Sequence, residues 1–101
     1  MLKTDRALLI ETELENFQFD TLKEDDVIEI SVSTTLGEMS DKITILAITG
    51  KLFGISNCNS PERFYKWVTL FELKRWITIC ADTNLIYGTA LYINFRRFDE
   101  K

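Results

Sequence analysis

Residues 27–35 alternate between apolar and polar: Ile28, Ile30, Val32 and Thr34 fall on one side, and Glu29, Ser31 and Ser33 on the other. A period of two is the signature of a strand with one face buried, so this stretch predicts the clearest strand of the chain. Leu36-Gly37-Glu38-Met39-Ser40-Asp41 interrupts the pattern, and Ile43 to Thr49 resumes it, which predicts a hairpin with a longer connection. Ile43, Ile45 and Ala47 alternate with Leu46 and Ile48, so the second strand is apolar on both sides and is expected to be central. Gly50 or Gly54 is expected to bend its continuation through Leu52 and Phe53.

Ser60-Pro61-Glu62 carries helix-start chemistry: a capping hydroxyl, a ring-fixed dihedral and an acid at the positive dipole end. Phe64, Trp67, Val68 and Phe71 follow at helical spacing, so a helix is predicted there with these four in the core and Lys74 and Arg75 near its end. The β-branched run Ile77-Thr78-Ile79 then predicts strand, Asp82-Thr83-Asn84 a turn, and Leu85 to Phe95 a returning strand with a bulge at Gly88. Ala7 to Phe19 supports two readings. Ile10, Leu14 and Phe17 have helical spacing, whereas Glu11, Glu13 and Glu15 alternate with Ile10, Thr12 and Leu14 as in a half-exposed strand; strand is favoured.

The expected fold class is α+β, a small antiparallel sheet or partly closed five-stranded barrel in the OB-like order β-β-β-α-β-β with one helix. A helix at 7–19 changes the order to α-β-β-α-β-β, a two-layer domain. One domain spanning 1–101 is expected, because a chain of 101 residues with 46% hydrophobic positions can bury roughly 60–68% of its unfolded surface.

Composition narrows the chemistry. The chain has no histidine, so no Ser-His-Asp or Cys-His pair and no imidazole base can form, and no cofactor or metal is expected. Cys58 and Cys80 are expected to be unbridged thiols in a reducing compartment, Cys58 in a loop before the predicted helix and Cys80 as a small buried hydrophobe. Glu24-Asp25-Asp26 lacks the spaced ligands and glycine of a calcium loop and reads as a solvated turn. Met1 to Arg6 has no signal-peptide character and no window is apolar enough to span a bilayer, so a cytoplasmic or nuclear, non-secreted protein without membrane contact is expected.

The formal charge of −4 is unevenly distributed: residues 1–41 hold eleven acids against three bases, and residues 42–101 five against nine. Ten of the twelve aromatic residues lie in the basic part. Lys51, Phe53, Arg63, Tyr65, Lys66, Lys74, Arg75, Trp76, Tyr87, Tyr92, Arg96, Arg97 and Phe98 combine cations with flat rings, the mixture that binds single-stranded nucleic acid, though several must also build the core. The expectation is a non-enzymatic macromolecular binding module, an accessory subunit with a protein partner and single-stranded nucleic acid as a further candidate ligand. Its candidate binding residues are Arg96, Arg97, Lys74, Arg75, Trp76 and Tyr92. The alternative is an inhibitor or immunity-type protein whose acidic half, through Glu11, Glu13 and Glu15, blocks the basic site of a nuclease or other enzyme.

Overall fold

The computed structural model describes residues 5–57, 60–85 and 90–99. Along the chain they form helix α1 (Asp5–Asn16), a 3-10 turn (Phe19–Thr21), strands β1 (Asp26–Thr34), β2 (Gly37–Thr49), β3 (Leu52–Asn57) and β4 (Ser60–Val68), helix α2 (Leu70–Leu85) and strand β5 (Ala90–Asp99). The fold is α+β. Five antiparallel strands lie in the order β4-β3-β2-β1-β5, with β4 and β5 as opposite edges, so the sheet is open and the expected barrel does not close.

The period-two stretch forms β1 as predicted: Ile28, Ile30, Val32 and Thr34 are buried while Glu29, Ser31 and Ser33 are half-buried. Its buried side joins Ile43, Ile45, Ile93 and Phe95 from neighbouring strands with Ile10 of α1 and Leu73, Ile77, Ala81 and Leu85 of α2 in one apolar cluster. Both helices therefore cover one face, and the second layer is the sheet itself. The strand β2 is the middle of five, as its apolar sides require. Its hairpin with β1 is tighter than expected: Thr34 already pairs with Gly37, which has φ 129°. The next turn, Gly50-Lys51, places Gly50 at φ 58°, a conformation that costs glycine little.

Residues 5–16 are helical, correcting the favoured strand. Ile10 is buried and Leu14 and Phe17 pack on the core, so the 3.6 period of the apolar positions prevails over the alternating glutamates.

The larger correction lies at 60–85. Ser60 begins a strand rather than capping a helix, because the outer edge of β3 carries main-chain groups that 60–68 can pair and a helix there could not. The helix starts at Leu70 behind a reciprocal cap: the Thr69 N–H donates to Glu72 Oε1 (2.9 Å) and the Glu72 N–H donates to Thr69 Oγ1 (3.2 Å). It runs through the predicted strand 77–79 and the predicted turn 82–84. Its β-branched threonines are accommodated by bonding backwards, Thr78 Oγ1 to Lys74 O (2.9 Å) and Thr83 Oγ1 to Ile79 O (2.8 Å). Leu73, Ile77, Cys80, Ala81, Asn84 and Leu85 form its buried face. Among the described residues one strand, β5, follows; the proposed bulge at Gly88 and the environment of Cys58 lie outside them.

The acidic run is also structural rather than merely solvated. Glu24 Oε1 accepts the Ile48 N–H (3.2 Å), the Asp25 N–H donates to Ile45 O (2.8 Å) from a backbone at φ 73°, and buried Asp26 accepts the Lys23 N–H (3.0 Å).

Candidate interaction surface

Edge strand β4 positions the most unusual surface of the molecule. In a regular strand residues three apart point to opposite faces. In β4 the pairing shifts, so that Lys66 opposes Ile55 and Phe64 opposes the next residue, Ser56, leaving Tyr65 as the extra residue of a bulge. The bulge brings Phe64 and Trp67 onto one face, where their rings lie 5.7 Å apart at 59° over Gly54. Both remain nearly half exposed, at 49% and 45%, and Phe71 on the first turn of α2 is 73% exposed. These three, expected in the core, are instead exposed, Phe64 and Trp67 on β4 and Phe71 on α2; Val68 alone of the predicted stripe is fully buried.

On the helix side of β4, where Lys66 opposes Ile55, Tyr65 stacks on Trp76 of α2 with centroids 5.3 Å apart, and Lys66 Nζ lies 5.1 Å from the Tyr65 ring and 5.3 Å from the Trp76 ring. Arg63 and Arg75 are exposed, and among the described residues neither has an ion-pair partner. Lys74 is half-buried with Nζ 5.1 Å above the Phe19 ring.

The candidate residues of β5 sit at the far edge. Arg96 donates to Glu29 Oε1 at 2.7 Å on the open face of the sheet, and this bond, with the guanidinium charge, holds the Glu29 carboxyl below its ordinary range. Arg97 turns to the helix side, where it bonds Thr21 Oγ1 and Gln18 O and lies 3.6 Å from Asp26. Tyr92 is exposed opposite Ser33, four strands away from β4. The sequence cluster is thus divided: Lys74, Arg75 and Trp76 stay with β4, and Tyr92, Arg96 and Arg97 do not.

The three glutamates are divided too. On α1, Glu11 and Glu15 share a side one turn apart, while Glu13 lies on another side and accepts the Phe95 N–H of β5 (3.1 Å). A cleft of about 360 Å³ between the end of α1 and β5 is lined by Glu13, Asn16, Phe17, Gln18, Asn94, Phe95 and Arg97, and both its charged groups carry these structural bonds. Cys80 is buried in α2. Among the described residues no cluster of three His, Cys, Asp or Glu side chains could hold a metal ion, and no helix is long and apolar enough to cross a membrane.

No protein-family model, curated protein or solved structure matches this chain.

Proposed function

We propose that this chain is a non-enzymatic binding module, an accessory subunit that docks a protein partner on β4 and the first turn of α2. The observation that carries this reading is the exposure of the paired rings Phe64 and Trp67 on edge strand β4, with Phe71 exposed on the first turn of the helix that follows. Large rings normally bury themselves, and burying the exposed half of each against a partner contributes on the order of 2 kcal/mol of gross driving force. Clustered exposed aromatics with arginines are the composition of interface hot spots. The non-enzymatic part rests on the lack of histidine and on the structural engagement of Glu13 and Arg97 in the cleft.

Capture from an extract of the native host with the immobilised chain, followed by mass spectrometry, tests the reading. Trp67→Ala and Phe71→Ala should each release the captured partner, with thermal unfolding nearly unchanged for Phe71→Ala and lowered but still cooperative for Trp67→Ala, whose ring packs on Gly54 and Phe64. A partner retained equally by both variants, with hydrogen-exchange protection away from β4, overturns it.

A further inference from the structure

We infer that the occupant of the β4–α2 corner is an acidic, extended segment of the partner protein, its apolar side chains seated on Phe64 and Trp67 and its carboxylates directed at Arg63, Lys66 and Arg75. This rests on the docking reading above and names the chemistry of what docks.

Charge carries the inference. The chain as a whole is at −4, yet residues 60–76 hold Arg63, Lys66, Lys74 and Arg75 against Glu62 and Glu72, and the Glu72 carboxylate accepts the Thr69 N–H. Arg63 and Arg75 have no ion-pair partner among the described residues, while Lys66 lies over the Tyr65 and Trp76 rings and its charge also acts on Glu72. Arg75 stands one helical turn beyond Phe71, so cation and ring share a side of α2. Cations beside an apolar surface are complementary to carboxylates interspersed with apolar side chains, and a strand with alternating side chains is the simplest backbone that supplies both. The acidic helix α1 packs against β5 and against α2, where Ile10, Glu11 and Leu14 line a groove with Thr78 and Asp82, beyond the turn that carries Arg75.

Ring geometry favours a polypeptide over a nucleic acid. Phe64 and Trp67 are tilted at 59° to each other over Gly54 and form an angled apolar notch that accepts an aliphatic side chain, whereas successive bases stack on ring faces along a basic groove. The two sheet edges also differ. At β5 the Phe95 N–H is already taken by Glu13, while the outer edge of β4 pairs with no other strand among the described residues.

The test uses the full chain and four fluorescently labelled probes: an extended peptide alternating glutamate with leucine or valine, its glutamine analogue, its lysine analogue, and oligo-deoxythymidylate. Anisotropy titrations should show the acidic peptide binding about tenfold or more tightly than the glutamine analogue, and weakening as ionic strength rises from about 0.1 to about 0.5 M. Arg63→Glu and Arg75→Glu should each weaken it about fivefold with unfolding unchanged, and Trp67→Ala should weaken both acidic and glutamine peptides alike. Equal binding of the acidic and glutamine peptides overturns the charge assignment. Tighter binding of the oligonucleotide, lost in the same arginine variants, makes the occupant a nucleic acid and overturns it as well. No binding of the acidic peptide overturns the choice of occupant, while capture with Trp67→Ala judges the docking surface separately.

Discussion

The Trp67 ring lies directly on Gly54: a Cβ built at Gly54 would stand 3.1 Å from Trp67 Cζ3, closer than ordinary packing permits. The strand that carries the exposed aromatics is thus seated on the one position of β3 with no side chain. Gly54→Ala should displace Trp67, and with it Phe64, at a cost of about 1 kcal/mol because half-exposed rings can move. Tryptophan fluorescence should shift and partner capture should fall while the cooperative unfolding transition is retained. Unchanged fluorescence and capture would show that the ring arrangement does not depend on this contact.

Thr69→Ala should destabilise the protein by about 1 kcal/mol, the usual contribution of a side-chain cap, because the hydroxyl that accepts the Glu72 N–H is lost. Ser60→Ala should be nearly neutral, since Ser60 lies in β4 and starts no helix. Urea unfolding of both variants checks the pair, and the opposite ranking would return the helix start to Ser60.

Glu29 sets a pH dependence whose sign is defined. Its folded-state pKa lies below the ordinary value of 4.5, chiefly through the hydrogen bond from Arg96. The resulting stabilisation is complete above that ordinary value and is lost as pH falls through the lower, folded-state value. Arg96→Gln should therefore lower the melting temperature modestly near neutrality, and the two proteins should converge in acid below that range. A difference that persists or grows in acid contradicts this account.

Asp26 is 1% exposed, accepts the Lys23 N–H and faces Arg97. Asp26→Ala removes the acceptor of the part-buried Lys23 N–H and the carboxylate facing Arg97, and should cost about 1–3 kcal/mol by urea unfolding. Asp25→Asn, which keeps a side chain tolerated at φ 73° and removes no such contact, serves as the comparison.

The indole N–H of Trp76 is buried with no acceptor among the described residues. Trp76→Phe keeps a ring against Tyr65 and removes the unsatisfied donor, so stability should be unchanged or slightly higher. A loss above about 1 kcal/mol would mean that the indole contributes through packing or cation–π contact that phenylalanine cannot replace.

Strand β1 and the central place of β2 were legible because a strand buried on one face writes its environment directly into its side-chain period, and one covered on both faces loses its polar positions. Helix α1 was legible in Ile10, Leu14 and Phe17, and obscured by glutamates at 11, 13 and 15 whose alternation has no common cause: Glu13 bonds the edge of β5, while Glu15 stands in solvent. The Thr69-x-x-Glu72 cap was also present in the sequence and would have placed α2 correctly.

The segment 60–68 could not be assigned from its own residues. Phe64 and Trp67, three apart, have the spacing of a helical face, but a bulge at Tyr65 produces the same coincidence of direction in a strand. Local propensity does not separate the two, because each leaves the same side chains on one side. The choice fell to β3, whose outer edge needed main-chain partners, and that need arises only once β1, β2 and β3 are paired. The sequence by itself determined the antiparallel α+β class and the buried face of β1. Only the tertiary structure decided which aromatic rings would be left outside, because hydrogen bonding to a preformed sheet edge, rather than hydrophobic spacing, placed β4.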